Sequence, residues 1–277
     1  MRADSVTNIS VFGLGEAGSL YAADLVKAGA RVRAYDPAGV STPAGVERFD
    51  NPHQAVADAH VVIAFTAAAD AAMALAQAIE SIPDSAIYVD FSTAAAGLKI
   101  ELAKRAAQHK LDFADIALLG VVPGNGIHTP ALASGTGADQ FARMFQSFGS
   151  PVSSIGGNAG DAATRKLLRS VFMKGLAATL IEAMRAAEKA GLSAWLWDNV
   201  SMEIAAADES LLQRLVSGTA VHARRRHHEM QAAMTLLNEL GVEPLMTKAT
   251  LQNLEEVMAN GLPEIPRSNS SKGLSDE

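Results

Sequence analysis

The chain has no cysteine, which excludes disulfides, thiolate metal sites and cysteine nucleophiles. Aromatic residues are few, at 5%, while alanine is abundant. That composition favours helices packed closely on one another or on a sheet. Positive charge is also short: 23 Lys and Arg against 30 Asp and Glu leave a net charge of −7. A general nucleic-acid binder carries a basic footprint, so no nucleic-acid partner is expected, whereas a small anion in a local basic pocket remains compatible. No apolar run approaches the roughly 18 residues that span a bilayer. The opening MRADSVTNIS lacks the charged-then-apolar run of a secretory signal. The expected setting is the cytoplasm, with no membrane partner. With 277 residues the chain can bury a sizeable core in one or two domains.

Two rhythms divide it. Up to about residue 155 short β-branched runs (ISVFG, RVRAYD, VVIAFT, AIYVDFS, LDFADIALLG and the weaker PVSSIG) alternate with alanine-rich stretches. Segments 67–82 and AAGLKIELAKRAAQHK have the length and spacing of crossover helices, so the pattern predicts βαβ units and a mainly parallel sheet. From Asp161 the strands stop. DAATRKLLRSVFMKGLAATLIEAMRAAEKAGL reads as one long helix ending at Gly191, followed by helices around SAWLWDNV, ESLLQRLV, HARRRHHEMQAAMTLLNELGV and TKATLQNLEEVMANGL. The fold class is α/β: a doubly wound parallel sheet, then an all-α domain.

The first turn of the sheet carries a phosphate-binding fingerprint. Gly13, Leu14, Gly15, Glu16, Ala17 and Gly18 follow the strand ISVF and open a helix, and the next strand ends in Asp36. Gly13 permits the tight turn, Gly15 the approach of a pyrophosphate and Gly18 close helix–strand packing. The helix N-terminus supplies N–H donors and partial positive charge. Asp36 sits where an acid accepts hydrogen bonds from ribose hydroxyls and repels a 2′-phosphate, which points to NAD over NADP. In open parallel sheets ligands lie at the carboxyl ends of the strands, which adds Phe65, Thr66, Ser92 and Thr93 to the cofactor candidates, although strand capping explains Phe65 and Thr66 equally well. No Walker GK[ST] ending or nucleophile elbow accompanies these motifs. His227 and His228 lack a metal-ligand spacing, so no metal is expected.

The glycine fingerprint, the VDFST run and a glycine-rich approach to a lysine on a long helix together resemble the β-hydroxyacid dehydrogenase superfamily over nearly the whole chain. That group includes 6-phosphogluconate and 3-hydroxyisobutyrate dehydrogenases, and imine reductases share its fold. The helical half looks like a divergent phosphogluconate-dehydrogenase-like branch. The resemblance implies a Rossmann NAD(P)-binding domain over 1–157 and an all-helical substrate and dimerisation domain over 158–264; the tail 265–277, polar and rich in Pro, Ser and Gly, is expected to be mobile. In Gly160-Asp161-Ala162-Ala163-Thr164-Arg165-Lys166 it places Lys166 at the position of the family's acid/base catalyst. Arg169 stands where the family has a substrate-orienting Asn. The family's D-x-x-V-S-G-G substrate run appears as Asp115 to Val121, with Leu119 in place of its Ser and Val121 in place of its second Gly, so Asp115 and Gly120 become substrate candidates.

The implied reaction is hydride transfer between the nicotinamide and a small hydroxy acid, with Lys166 as general acid/base. Arg165 and Arg169 neighbour Lys166, and a cation nearby favours the neutral amine that accepts a proton. Arg169, at i+3, is also suited to clamping a carboxylate or phosphate, which makes the expected partner a small anionic substrate. Lys174 either edges the same cleft or faces water. Asn125 and His128, in the Gly- and Pro-rich segment 120–135, either contact substrate or decorate a surface loop. Arg225 and Arg226 form a solvated face or, as the resemblance implies, reach the substrate of a partner in a homodimer built through the helical domain. Two other readings are an imine reductase using NADPH and a non-catalytic dinucleotide-binding sensor. Lys166 and Asp36 weigh against the first, whereas the departures at Leu119 and Arg169 favour the second.

Overall fold

Strands that are apolar on both faces belong inside a parallel sheet, and Asn8–Phe12 (β1), Val61–Ala64 (β4) and Ile87–Asp90 (β5) are such strands, nearly all of their residues buried. In a computed structural model that describes residues 6–265 they form the centre of an eight-stranded sheet. Its other strands are Arg31–Tyr35 (β2), Glu47–Phe49 (β3), Asp112–Leu118 (β6), Ala131–Ser134 (β7) and Val152–Ser154 (β8), in the order β3-β2-β1-β4-β5-β6-β7-β8. All pairings are parallel except β6 with β7. The strand order reverses between β1 and β4, so the crossovers on their two sides diverge and open a crevice at the carboxyl ends of these strands.

The helices of this half are Glu16–Lys27 (α1), Pro52–Val56 (α2), Ala71–Ala78 (α3), Ala96–Gln108 (α4) and Ala138–Gln146 (α5). One core layer joins α1 and α5 to one face of the sheet, with Tyr21, Leu25, Phe141 and Phe145 buried. A second, with Leu75, Tyr88, Leu102 and Phe113, lies on the other face. The mainly parallel sheet and the crossover helices are as the sequence pattern predicts. Two strands are additional. β3 has three residues at the sheet edge, too short for a period to register. β7 lies in the segment expected to be loop, where Pro130 and Gly135 flank it, and its strand geometry comes from pairing with β6 and β8.

The remaining helices are Asp161–Lys189 (α6), Ser193–Ala205 (α7), Glu209–Glu239 (α8) and Leu245–Asn260 (α9). The two helices expected around ESLLQRLV and HARRRHHEM are joined into α8 with a kink at His222 (φ −117°, ψ 16°). Gly191 ends α6 with φ 71°, a left-handed stop that glycine takes without strain. By contacts the chain forms two units, Met1–Ser170 and Val171–Glu277, so the first turns of α6 belong with the sheet. Apart from Ile265, the expected tail 265–277 lies outside the described residues.

Within the second unit, Glu182 of α6 is buried and closes the N-terminus of α9. It accepts the Met246 N–H at 2.6 Å, the Thr247 N–H at 2.9 Å and the Thr247 hydroxyl at 2.7 Å. Burial alone would raise its pKa, but the Thr247 hydroxyl and the backbone N–H groups outweigh that and hold the carboxyl below the ordinary glutamate value. Stability from such a group is present above its unfolded pKa and is lost as pH falls through the folded one. Glu182→Gln is therefore expected to cost about 1–2 kcal/mol at neutral pH. In thermal melts from pH 7 downward, the gap to wild type should close as pH drops through and below the usual carboxylate range. A constant gap would mean that the charge is irrelevant.

Candidate cofactor and catalytic site

The glycine turn between β1 and α1 shows why three of its positions have no side chain. Gly13 has φ +91°, and a Cβ there would lie 2.2 Å from the Phe65 carbonyl oxygen; one at Gly18 would lie 1.9 Å from that of Gly13. Both serve close packing within the protein. Gly15 differs: apart from its own chain neighbours, no atom lies within 4 Å of where its Cβ would be. It is the N-cap residue of α1 and is exposed, in front of N–H groups that a helix leaves without internal partners. Open space at that point is what a pyrophosphate requires.

Asp36 ends β2 with its carboxylate fixed from two sides: the Leu14 N–H donates to Oδ2 at 2.6 Å and the Ala38 N–H to Oδ1 at 2.8 Å. Arg48 of β3 donates to the carbonyls of Asp36, Ala38 and Val40 and so pins the loop that carries the acid. A hollow of about 360 Å³ lies beside this acid, bounded by Gly13, Gly15, Asp36, Thr66, Met73 and Gln77. A second, of about 350 Å³, lies on the other side of the turn, bounded by Gly15 to Gly18, Phe65, Thr66, Phe91, Thr93, Leu118 and Lys166. The hollows share Gly15, Phe65, Thr66 and Ala67. The Thr66 hydroxyl oxygen is buried and has no hydrogen-bond partner among the described residues, as expected of a group that serves a ligand. A dinucleotide's chemistry fits: an acid for ribose at one end, open backbone for phosphates, and an apolar-walled pocket at the other.

In that second pocket Lys166, half-buried on α6, donates from Nζ to Thr93 Oγ1 at 2.9 Å. Phe65 packs on Tyr21 and Phe91, with ring centroids 4.8 and 4.4 Å apart. Burial, then the Asp24 carboxylate, holds the Tyr21 phenol far above its ordinary value, so Tyr21 is a wedge under the pocket and not a proton donor.

The structure thus brings together Gly13 to Gly18, Asp36, Phe65, Thr66, Thr93 and Lys166, and leaves other candidates elsewhere. Ser92 is buried, its hydroxyl donating to Asp90 at 2.7 Å. Asp115, expected to touch substrate, has no solvent exposure and is held by Lys99 and the start of α6. Gly120 packs by Thr129. Asn125 and His128 line a separate hollow with Leu20, Lys27 and Phe148, where His128 meets the Gly149 carbonyl at 3.0 Å. Arg169 is exposed on α6. In the helical unit Lys174 is exposed, Arg225 pairs with Glu229 at 3.2 Å, and Arg226 donates to the Leu215 carbonyl and Thr219 hydroxyl beside the kink. Sequence reasoning missed Arg48 and Lys99. The signal for Lys99 was a lysine within the otherwise apolar spacing of its helix.

Strand order, glycine turn and acid define an NAD(P)-binding α/β domain of the Rossmann type. Residues 8–156 match the family model described as the NAD binding domain of 6-phosphogluconate dehydrogenase, and the chain belongs to that family. Residues 187–257 match a domain of unknown function, DUF1932. A curated relative, an uncharacterized 28.5 kDa protein in the 7S RNA 5′ region of Methanothermus fervidus, is 30% identical over 164 residues. That match takes in 59% of this chain and 63% of the relative, so the chain spans less than two thirds of the relative's length. A conserved hypothetical protein from Sinorhizobium meliloti has a similar structure, with a TM-score of 0.60 and 28% identity, covering 94% of this chain and 92% of that one. An imine reductase from Streptomyces aurantiacus shares the fold, with a TM-score of 0.77 at 18% identity over 92% of this chain and 95% of its own. Among the described residues no helix is long and apolar enough to cross a membrane.

The two kinds of glycine give opposite expectations. Gly18→Ala is expected to destabilise the fold by about 1–3 kcal/mol through overpacking. Gly15→Ala should leave the melting temperature unchanged or slightly raised yet weaken NADH binding about tenfold or more, some 1.4 kcal/mol. Thermal melts beside fluorescence titrations check both; equal coenzyme affinity in Gly15→Ala would remove the phosphate from this turn.

Proposed function

We propose that this chain is an NAD-dependent oxidoreductase acting on a small hydroxy acid, with Lys166 as general acid/base. The observation that carries the proposal is the Lys166 amino group, whose Nζ lies 2.9 Å from Thr93 Oγ1 in the pocket that adjoins the glycine turn; in its neutral form it donates to Thr93 and keeps a lone pair. Bound NAD supplies the hydride acceptor at its nicotinamide. Lys166 Nζ takes the proton of the substrate hydroxyl during oxidation and returns it during reduction. Thr93 Oγ1 accepts one lysine proton and so directs the remaining donor positions. Phe65, Phe91 and Leu118 wall the pocket and keep water from the reacting carbon. Asp36 accepts the ribose hydroxyls and repels a 2′-phosphate, the support for NAD over NADP. Arg169, at i+3 from the lysine, supports an anionic substrate.

The proposal includes a homodimer through the helical unit. Its buried apolar cluster, among the described residues, comprises Ala186, Leu237 and Val242, while Val171 (75%), Trp195 (61%) and Trp197 (55%) are exposed. Large exposed apolar area of this kind marks an interaction surface.

A second reading is reduction of a C=N bond, favoured by the fold shared with the Streptomyces aurantiacus imine reductase. Lys166 and Asp36 weigh against this reading, so substrate and coenzyme together decide between the two. NADH formation at 340 nm is to be followed with a panel of 2- and 3-hydroxy acids and sugar acids, and NADH or NADPH oxidation with cyclic imines. Turnover of a hydroxy acid that Lys166→Ala loses by about a hundredfold or more supports the proposal. Turnover with imines alone replaces it, and turnover that survives the substitution removes Lys166 from the chemistry. Tight NADH binding with no turnover would favour a sensor. Asp36→Ser is expected to improve NADP use relative to NAD by about tenfold or more, the 1.4 kcal/mol scale of one lost charge contact. An unchanged ratio would refute the role of Asp36.

A further inference from the structure

Asp90 and Asp115 stand opposite each other in the register of β5 and β6, and neither is exposed to solvent. Two like charges so placed repel each other unless a cation stands between them. Lys99 of α4, also fully buried, lies between them. Its Nζ donates to Asp90 Oδ2 at 2.6 Å and to the Asp90 carbonyl at 3.1 Å, and stands 3.0 Å from Asp115 Oδ1. Both hydrogen bonds go to Asp90, while Asp115 Oδ1 meets the ammonium as an ion pair and accepts no hydrogen bond among the described residues. By formal charge two aspartates and one lysine sum to −1, and the N-terminus of α6 faces them. Asp115 Oδ2 accepts the N–H groups of Gly160 at 3.1 Å and Ala163 at 2.9 Å. Ser134, the register partner of Asp115 on β7, accepts the Ala162 N–H at 3.0 Å. The helix is thus closed by side chains of the sheet, where partial positive charge and free N–H groups meet an anion.

Both ends of the Lys166–Thr93 contact grow from this cluster. Lys166 lies one helical turn beyond Ala163. Thr93 follows the turn after β5, which Asp90 holds by accepting the Ser92 hydroxyl at 2.7 Å and, at 3.4 Å, its N–H. We propose that Lys99 and Asp115 are positioning residues that lock the start of α6 to the turn after β5, at the separation that sets Lys166 Nζ on Thr93 Oγ1 in the pocket. Their effect on turnover rests on the acid/base reading of Lys166; their effect on its placement does not.

Asp115→Asn keeps the side-chain shape and leaves Lys99 paired with Asp90, but turns one oxygen facing Lys99 or α6 into an amide donor. The variant is expected to keep the wild-type circular dichroism spectrum and NADH affinity, because the glycine turn and Asp36 lie outside the cluster. Turnover should fall on the order of ten- to a hundredfold, the effect of a misplaced catalytic group, with the coenzyme KM unchanged. Placement is read separately by reductive methylation and mass spectrometry. Labelling of Lys166 relative to exposed Lys174 should rise several-fold, because Lys166 leaves Thr93. Ser134→Ala, which removes the acceptor for Ala162, carries the same test in milder form should Asp115→Asn not fold. A wild-type labelling ratio in the folded variants overturns the proposal whatever the turnover. A raised ratio beside full turnover in Lys166→Ala upholds the positioning and refutes the acid/base reading instead.

Discussion

The packing of β5 against β6 puts two carboxylates face to face inside the sheet, and Lys99 is what makes that arrangement tolerable. Removing one partner of a buried ion pair typically costs about 3–5 kcal/mol, because the other charge stays behind without compensation. Here the three charged groups do not close on themselves. The surplus negative charge is met by N–H groups at the start of α6, so the electrostatics of the sheet interior dictate where a long helix begins. The helix carries Lys166, and the turn that carries Thr93 begins at Asp90. Geometry at the pocket is therefore a consequence of charge balance at the cluster.

The same device recurs in the second unit. Glu182 closes the N-terminus of α9 from a different helix, as Asp115 closes that of α6 from a strand. Two other helices have local caps: Asn51 accepts the His53 N–H at the start of α2, and Asp208 accepts the Leu211 N–H at the start of α8. The local caps are legible in a sequence because cap and helix are contiguous. The distant ones are not, since nothing near Gly160 or Leu245 announces that the acceptor lies tens of residues away.

That contrast explains how much could be read in advance. The cofactor side was legible because its determinants occupy one βαβ unit: a turn with fixed glycine spacing and an acid at the end of the next strand. Thr93 was found from its place at the carboxyl end of a strand and Lys166 through family resemblance; the structure brings the two together. The same resemblance led to Asp115 as a substrate contact. Its position at a strand end is compatible with that role, but its lack of solvent exposure makes it a cap. Ser92 and His128 were ambiguous for a related reason. A polar residue at a strand end or in a glycine-rich loop can face either the crevice or its own neighbours, and only packing decides between them.

The pocket's two candidate reactions differ in where a proton must go, not in how hydride moves. Oxidising an alcohol needs a base at oxygen, whereas reducing an imine needs an acid at nitrogen; a lysine offers the first as its amine and the second as its ammonium. Lys166 therefore supports a proton-transfer role without selecting the substrate. Selection must come from groups that recognise the rest of the molecule. On the proposed reading these begin with Arg169, whose exposed guanidinium favours an anion and would gain little from a neutral cyclic imine. The walls of Phe65, Phe91 and Leu118 accept an apolar substrate face in either case, so charge, more than shape, is the property by which this site would tell a hydroxy acid from an imine.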